Sequence, residues 1–111
     1  MGWDAKHRFA RITARKARLM ADLIRGRDVQ DALNLLKFTP HRAAPMLSKV
    51  LTSAIANANE AEANMDKLYV QEVRIDEGPT MKRLRMKDRG RANVIFKRSS
   101  HISVAVEEDK E

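Results

Sequence analysis

Residues 82–91 read KRLRMKDRGR, six Lys or Arg and one acid in ten positions. Arg83, Arg85, Lys87, Arg89 and Arg91 fall at every second position, which in an extended chain puts all five on one side. The chemistry open to such a row is neutralisation of a polyanion. Each cation that meets a phosphate releases a condensed counterion and turns mutual repulsion into salt-dependent attraction. A second chemistry would draw on the three histidines, His7, His41 and His101, as general acid and base in RNA cleavage, with a lysine for the transition-state charge. They fall on three separate predicted elements. No HExxH, nucleotide-binding glycine loop or metal-spaced carboxylate pair accompanies them, and adjacent Asp76 and Glu77 would point to opposite faces of a strand. Within KRSSHI, His101 reads more simply as a hydrogen-bonder to phosphate or backbone. No catalysis, metal, cofactor or small-molecule substrate is therefore expected.

The charge of the whole chain follows the same division. Residues 1–27 carry eight Lys/Arg against two acids, 28–77 five against eight, 78–101 eight against one, and the last ten one against four. Two basic blocks flanking an acidic middle are the footprint of a polyanion-binding surface, whereas solubility alone is served by mixed signs. With 111 residues and 43% hydrophobic content, one domain with a modest core is expected. The opening MGWDAKHRFA lacks an apolar secretory stretch, no run approaches the roughly 20 residues of a membrane span, and Lys6 stands where a myristoylation signal needs Ser or Thr. A cytoplasmic protein without membrane contact is the expectation. There is no cysteine, so neither disulfides nor thiolate metal sites contribute.

The elements that must position these charges follow from periodicity. AKHRFARI, residues 5–12, predicts a short strand ending at Thr13, an N-cap for a helix over about 14–25. In that helix Leu19/Leu23 and Met20/Ile24 form i, i+4 apolar pairs, Arg15, Lys16, Arg18 and Arg25 form the outward face, and Gly26 ends it in a left-handed conformation. Asp28 caps a second helix carrying Val29, Ala32, Leu33 and Leu36, which stops before Thr39-Pro40. Leu47, Val50, Leu51, Ala54, Ile55 and Ala58 predict a third, long helix from the early forties to about Ala63, with Pro45 either near its start or bending it. The period then falls to two. Leu68 and Val70 share one face of a strand over 68–77 and Val73 and Ile75 the other, a phase change that predicts a bulge. Ile102, Val104 and Val106 alternate as a half-buried strand, and the acidic end, 107–111, is expected to be disordered.

Between those last two strands, residues 78–99 have no consistent apolar face. With Gly90 beside Asp88 supplying a turn, they predict an extended hairpin with arms of about ten residues, each roughly 30 Å long at ~3.4 Å per residue. The globular body is then residues 5–77 and 100–107. A charged two-stranded ribbon is marginal in water, so this one is built to be ordered by a nucleic acid. Cations on a helix and on a projecting arm face different directions, which suits a folded RNA surrounding the protein better than one groove of DNA. Of the aromatics, Phe9 and Phe96 are expected in the core, while Trp3 is left open between core and base stacking.

Three stretches, AKHRFARITARKARLMADLIRGR, KVLTSAIANA and DEGPTMKRLRMKDRGRANVIFKRSSHISVAV, lie in register with one known family and together cover most of the chain. The last is specific: GR, nine residues, then His101 and an alternating apolar strand. The chain resembles the family of large ribosomal subunit protein 22. That resemblance implies an α+β fold, a small antiparallel sheet packed on three helices, with a long protruding hairpin that reaches through ribosomal RNA to line the nascent-peptide exit tunnel. It implies a structural constituent of the large subunit that contacts several RNA domains and aids assembly. It further implies a hairpin tip near large-subunit protein 4, the nascent polypeptide and the region where macrolides bind. RNA contacts would come from Lys6, Arg8, Arg11, Arg15, Lys16, Arg18, Arg25, Lys82, Arg83, Arg85, Lys87, Arg89, Arg91, Lys97, Arg98 and His101. The tunnel-lining tip would comprise Met81, Lys82, Arg83, Leu84, Arg85, Met86, Lys87, Asp88, Arg89 and Gly90. The chain departs from the family's common MPRAKGR tip, with Met86 in place of the proline and Asp88 adding an acid, and at Pro45, where an ordinary helix former is typical.

Three functions stand at this stage: a structural RNA-binding component of the large subunit, favoured, a free-standing nucleic-acid-binding regulator, and a small nuclease.

Overall fold

The strand nearest the end of the chain organises the sheet. The computed structural model describes residues 2–87 and 91–108, with the backbone alone for residues 81, 83–87 and 91–96. In it β5 (Ser100–Glu108) lies between β1 (Gly2–Ala10) and β2 (Leu68–Glu77), antiparallel to both. Ile102, Val104 and Val106 are fully buried while His101, Ser103 and Ala105 are half-buried, so one face of β5 meets the core. The strand runs past the expected 102–106 at both ends. Glu107 pairs with Gly2 and Tyr69, Glu108 pairs with Leu68, and the Glu108 carboxylate accepts the Asn64 N–H at 2.8 Å. The first two residues of the expected disordered tail are therefore strand, because flanking strands on both sides take up their backbone groups; residues 109–111 lie outside the described residues.

The expected bulge in β2 is present. Its register with β5 passes from Val70↔Val106 to Glu72↔Ala105, leaving Gln71 as the extra residue. The bulge restores phase, so Leu68, Val70, Val73 and Ile75 are all buried. β1 begins at Gly2 instead of residue 5 and ends at Ala10 instead of residue 12, with a second irregularity between His7 and Ala10.

Three helices cover the inner face. In α1 (Ala14–Ile24) the Thr13 hydroxyl accepts the Lys16 N–H at 3.4 Å, and Gly26, at φ +81°, ends the helix where a Cβ would be strained. Its two apolar rows are not equivalent. Met20 and Ile24 are buried with Ala14, Ala17 and Ala21, but Leu19 and Leu23 remain 58% and 40% exposed. Successive residues on a helix diverge by about 100°, and only one of the two rows can face the sheet. α2 (Val29–Phe38) buries Val29, Ala32 and Leu36; Asp28 stands at its N-cap, but its side chain makes no capping bond and its backbone bridges to Tyr69 instead. α3 (Ala43–Glu60) lies against β1 and β5 and ends three residues before Ala63. Pro45 is its third residue, within the first turn, where backbone N–H groups have no intrahelical acceptor to lose. Leu47 and Leu51 are fully buried and stabilise the fold by about 1.5–3 kcal/mol each. Alanines with no exposure on all three helices, among them Ala17, Ala32 and Ala54, let the backbones approach closely.

The charged segment leaves this body as a separate ladder. β3 (Met81–Lys87) pairs with β4 (Arg91–Lys97), from Met81↔Lys97 to Lys87↔Arg91, and neither strand joins the three-stranded sheet. The paired arms are seven residues long, shorter than the ten expected, because residues 78–80 and 98–99 form a neck outside the ladder. The expected turn at Asp88, Arg89 and Gly90 lies outside the described residues. The chain measures 65 × 24 × 17 Å, and its radius of gyration, 17.0 Å, exceeds the ~13 Å of a compact chain of this length.

Candidate nucleic-acid interface

Two ladders meet at the neck, and its hydrogen bonds set how the hairpin leaves the body. Glu77 pairs with Ser100, the Gly78 N–H donates to the Ser99 carbonyl at 2.9 Å, and the Ser99 hydroxyl donates to the Pro79 carbonyl at 2.8 Å. Gly78 lies in close approach to its neighbours: a Cβ would stand 2.5 Å from the Ser99 Oγ, which would have to shift, and 3.3 Å from the His101 Nε2. Ser100 is fully buried, and its hydroxyl donates to the Ile12 carbonyl at 2.8 Å, tying the neck to the turn between β1 and α1.

Two clefts adjoin at this neck and share Thr13, Arg98 and Ser99. The larger, about 650 Å³, is lined by Phe9, Arg11, Ile12, Lys16, Arg42, Pro79 and Lys97 in addition. The smaller, about 490 Å³, adds Ala14, Arg15, Arg18, Glu77, Gly78, Thr80 and Lys82. The fold thus gathers Arg11, Arg15, Lys16, Arg18, Lys82, Lys97 and Arg98, drawn from three distant parts of the sequence, around the root of the hairpin. Apart from that of Arg18, none of the seven cationic side chains forms an ion pair or hydrogen bond with another described residue; such bonds elsewhere include Arg25–Asp22 and Arg74–Glu72. Cations held this close without internal partners favour an anion between them.

Other expected contacts are placed differently. Lys6 and Arg8 are exposed on β1 and line neither cleft. Arg25 lines neither cleft as well: its guanidinium donates to the Val73 carbonyl at 2.7 Å and pairs with Asp22. Arg18 donates to the Ile75 carbonyl at 3.1 Å. With the Gly26 N–H on the Val70 carbonyl and the Val70 N–H on the Arg27 carbonyl, these bonds take up backbone groups on the margin of β2 that faces away from β5. Two of the four cations expected on the outward face of α1 therefore cover a sheet edge, a need visible only once the strand order is known. Arg83, Arg85, Lys87 and Arg91 take part in the hairpin ladder, where Lys87 and Arg91 stand directly opposite each other, a like-charge pairing that disfavours the free ribbon. Arg89 lies outside the described residues.

The aromatic and histidine expectations divide. Trp3 is partly buried against the core, and the Phe96 side chain is outside what is described. Phe9, expected in the core, is 60% exposed. It lies in the irregularity of β1 at φ +59°, a left-handed conformation costing about 1–3 kcal/mol for a residue with a Cβ, and this turns the side chain away from the sheet. The His101 Nδ1 accepts the Phe9 N–H at 3.1 Å, and the two rings meet edge-to-face at 4.9 Å. The backbone role read for His101 is thus present. His7 stands opposite Ile102 and so on the other sheet face from His101, while His41 precedes α3, exposed; the three share no site. Arg42 was missed from the sequence. It belongs to the acidic middle segment, and only the docking of the α3 N-terminus beside the neck brings it to the cleft.

A family model described as ribosomal protein L22p/L17e matches residues 5–107, nearly the whole chain, hairpin included. Its members are structural, non-enzymatic proteins of the large ribosomal subunit, and binding of ribosomal RNA is typical of them. The match, the α+β body and the protruding basic ladder agree: the chain belongs to the ribosomal protein L22p/L17e family and is a structural constituent of the large ribosomal subunit.

Proposed function

We propose that the body holds several segments of large-subunit RNA together and that the hairpin threads between them to line the nascent-peptide exit tunnel, in the cytoplasm. The observation that carries this is the hairpin ladder itself. Seven residue pairs reach out from the body of a chain 65 Å long, with no third strand beside them among the described residues and with Lys87 opposite Arg91 in the register, an arrangement that phosphates on either side would stabilise. The two cationic clefts at its root supply the second RNA contact. Lys6, Arg8, Arg11, Arg15, Lys16, Lys82, Arg83, Arg85, Lys87, Arg89, Arg91, Lys97 and Arg98 are the proposed phosphate contacts, with Arg42 added and with Arg18, Arg25 and His101 contributing from positions they also hold for the fold. The tip, Met81 to Gly90, would face the nascent chain near large-subunit protein 4. By bridging RNA segments the protein would aid subunit assembly. A density map of the large subunit carrying this chain tests the reading: RNA density along both sides of residues 81–97 with the tip at the tunnel wall is expected. A hairpin lying free on the particle surface would overturn it.

A further inference from the structure

We propose that the larger cleft at the hairpin root binds one unpaired nucleotide of RNA, with its base stacked on Phe9 and its phosphates held by Arg11, Lys16, Arg42 and Arg98. The inference rests on the RNA-binding reading above and adds to it the kind of nucleotide and the residue that reads it. An aromatic side chain in a folded protein ordinarily gains by burial. Phe9 instead sits at φ +59°, a strained conformation for phenylalanine, and ends 60% exposed at the wall of a cleft of about 650 Å³. Backbone strain retained where the side chain stays largely exposed points to a site that uses the conformation.

The His101 ring fixes the platform. It accepts the Phe9 N–H at 3.1 Å, a donor left over by the irregularity of β1, and packs against the Phe9 ring at 86° and 4.9 Å. One perpendicular neighbour can occupy at most one face of the ring. With 60% of the residue exposed at the cleft wall, ring surface is left for stacking, and cations stand around the same cleft. A base inside a duplex already has both faces covered, so the occupant that fits an aromatic face beside several cations is a splayed-out base with its own backbone. The volume lies within the range usual for sites that enclose a small ligand, large enough for one nucleotide.

The purified full-length chain is titrated at low salt with two RNA hexamers of equal charge, one carrying a central 2-aminopurine and one abasic there. Stacking should quench the 2-aminopurine fluorescence and favour the base-bearing hexamer by about tenfold or more. Phe9→Leu, which keeps apolar bulk without a π face, should remove the preference and the quenching while leaving the salt slope unchanged, and Phe9→Tyr should restore both. Equal affinity for the two hexamers, with a steep salt slope, overturns the inference and leaves the electrostatic reading intact. No salt-dependent binding of either hexamer takes down both. Circular dichroism of Phe9→Leu confirms that the comparison is made on a folded chain.

Discussion

Ser100 and Ile12, 88 positions apart in sequence, are joined by a hydrogen bond of 2.8 Å from the buried serine hydroxyl to the isoleucine carbonyl. Ser100 is the first residue of β5 after the hairpin, and Ile12 lies in the turn that carries Arg11 and the Thr13 cap. The bond therefore fixes the hairpin root against the cationic end of α1. Ser100→Ala leaves the Ile12 carbonyl without this partner in a buried place and should cost about 1–3 kcal/mol. At roughly 4 °C per kcal/mol, thermal denaturation should report a Tm lower by about 4–12 °C. An unchanged Tm would show that water replaces the hydroxyl there.

Arg18 and Arg25 should behave unlike Arg15. Their guanidinium groups donate to the Ile75 and Val73 carbonyls on the free margin of β2, whereas Arg15 has no such partner among the described residues. Arg25→Ala should lower stability by about 1 kcal/mol, and Arg18→Ala similarly. Arg15→Ala should leave Tm within about 2 °C of the parent and reduce only RNA affinity. Paired denaturation and salt-titration measurements on the three variants distinguish the roles; equal Tm in all three would deny the edge-covering one.

Gly78 and Ser99 should be energetically coupled. A methyl group at residue 78 would stand 2.5 Å from the Ser99 Oγ, so Gly78→Ala should destabilise by about 1–3 kcal/mol. In the Gly78→Ala, Ser99→Ala double variant the colliding oxygen is gone, and the loss should be smaller than the sum of the singles by at least about 0.5 kcal/mol. Strict additivity in chemical denaturation would mean that the neck relaxes freely.

Replacing Lys82, Arg83, Arg85 and Arg89 together by Ala should weaken RNA binding and reduce the slope of log affinity against log salt by about 3–4, at roughly 0.7–0.9 per lost phosphate contact. The ladder contributes no strand to the core sheet, so the body should keep its Tm within about 2 °C. A collapse of the fold would show that the hairpin is part of the core after all.

Much of this protein was legible without coordinates because its signals are local. A chain that drops from a 3.6-residue to a two-residue period has few options, and the elements follow it, including the bulge at Gln71 and the left-handed Gly26. The charge blocks were equally plain, and density of arginine without an apolar face is enough to expel residues 81–97 from a core. What local pattern could not supply was any property created by pairing distant segments. The strand order β1-β5-β2 left one margin of β2 open, and that margin claimed Arg18 and Arg25 for backbone carbonyls instead of leaving them wholly to solvent. The same sheet recruited Glu107 and Glu108 into a strand, and packing chose the Met20/Ile24 row of α1 over Leu19/Leu23. Composition and periodicity thus determined which elements form and which charges must face outward, since each depends on neighbours within a few residues. Only the tertiary structure decided that Phe9, Arg42 and Arg98 share one cleft, because that depends on where chain segments 33 and 56 residues apart come to rest.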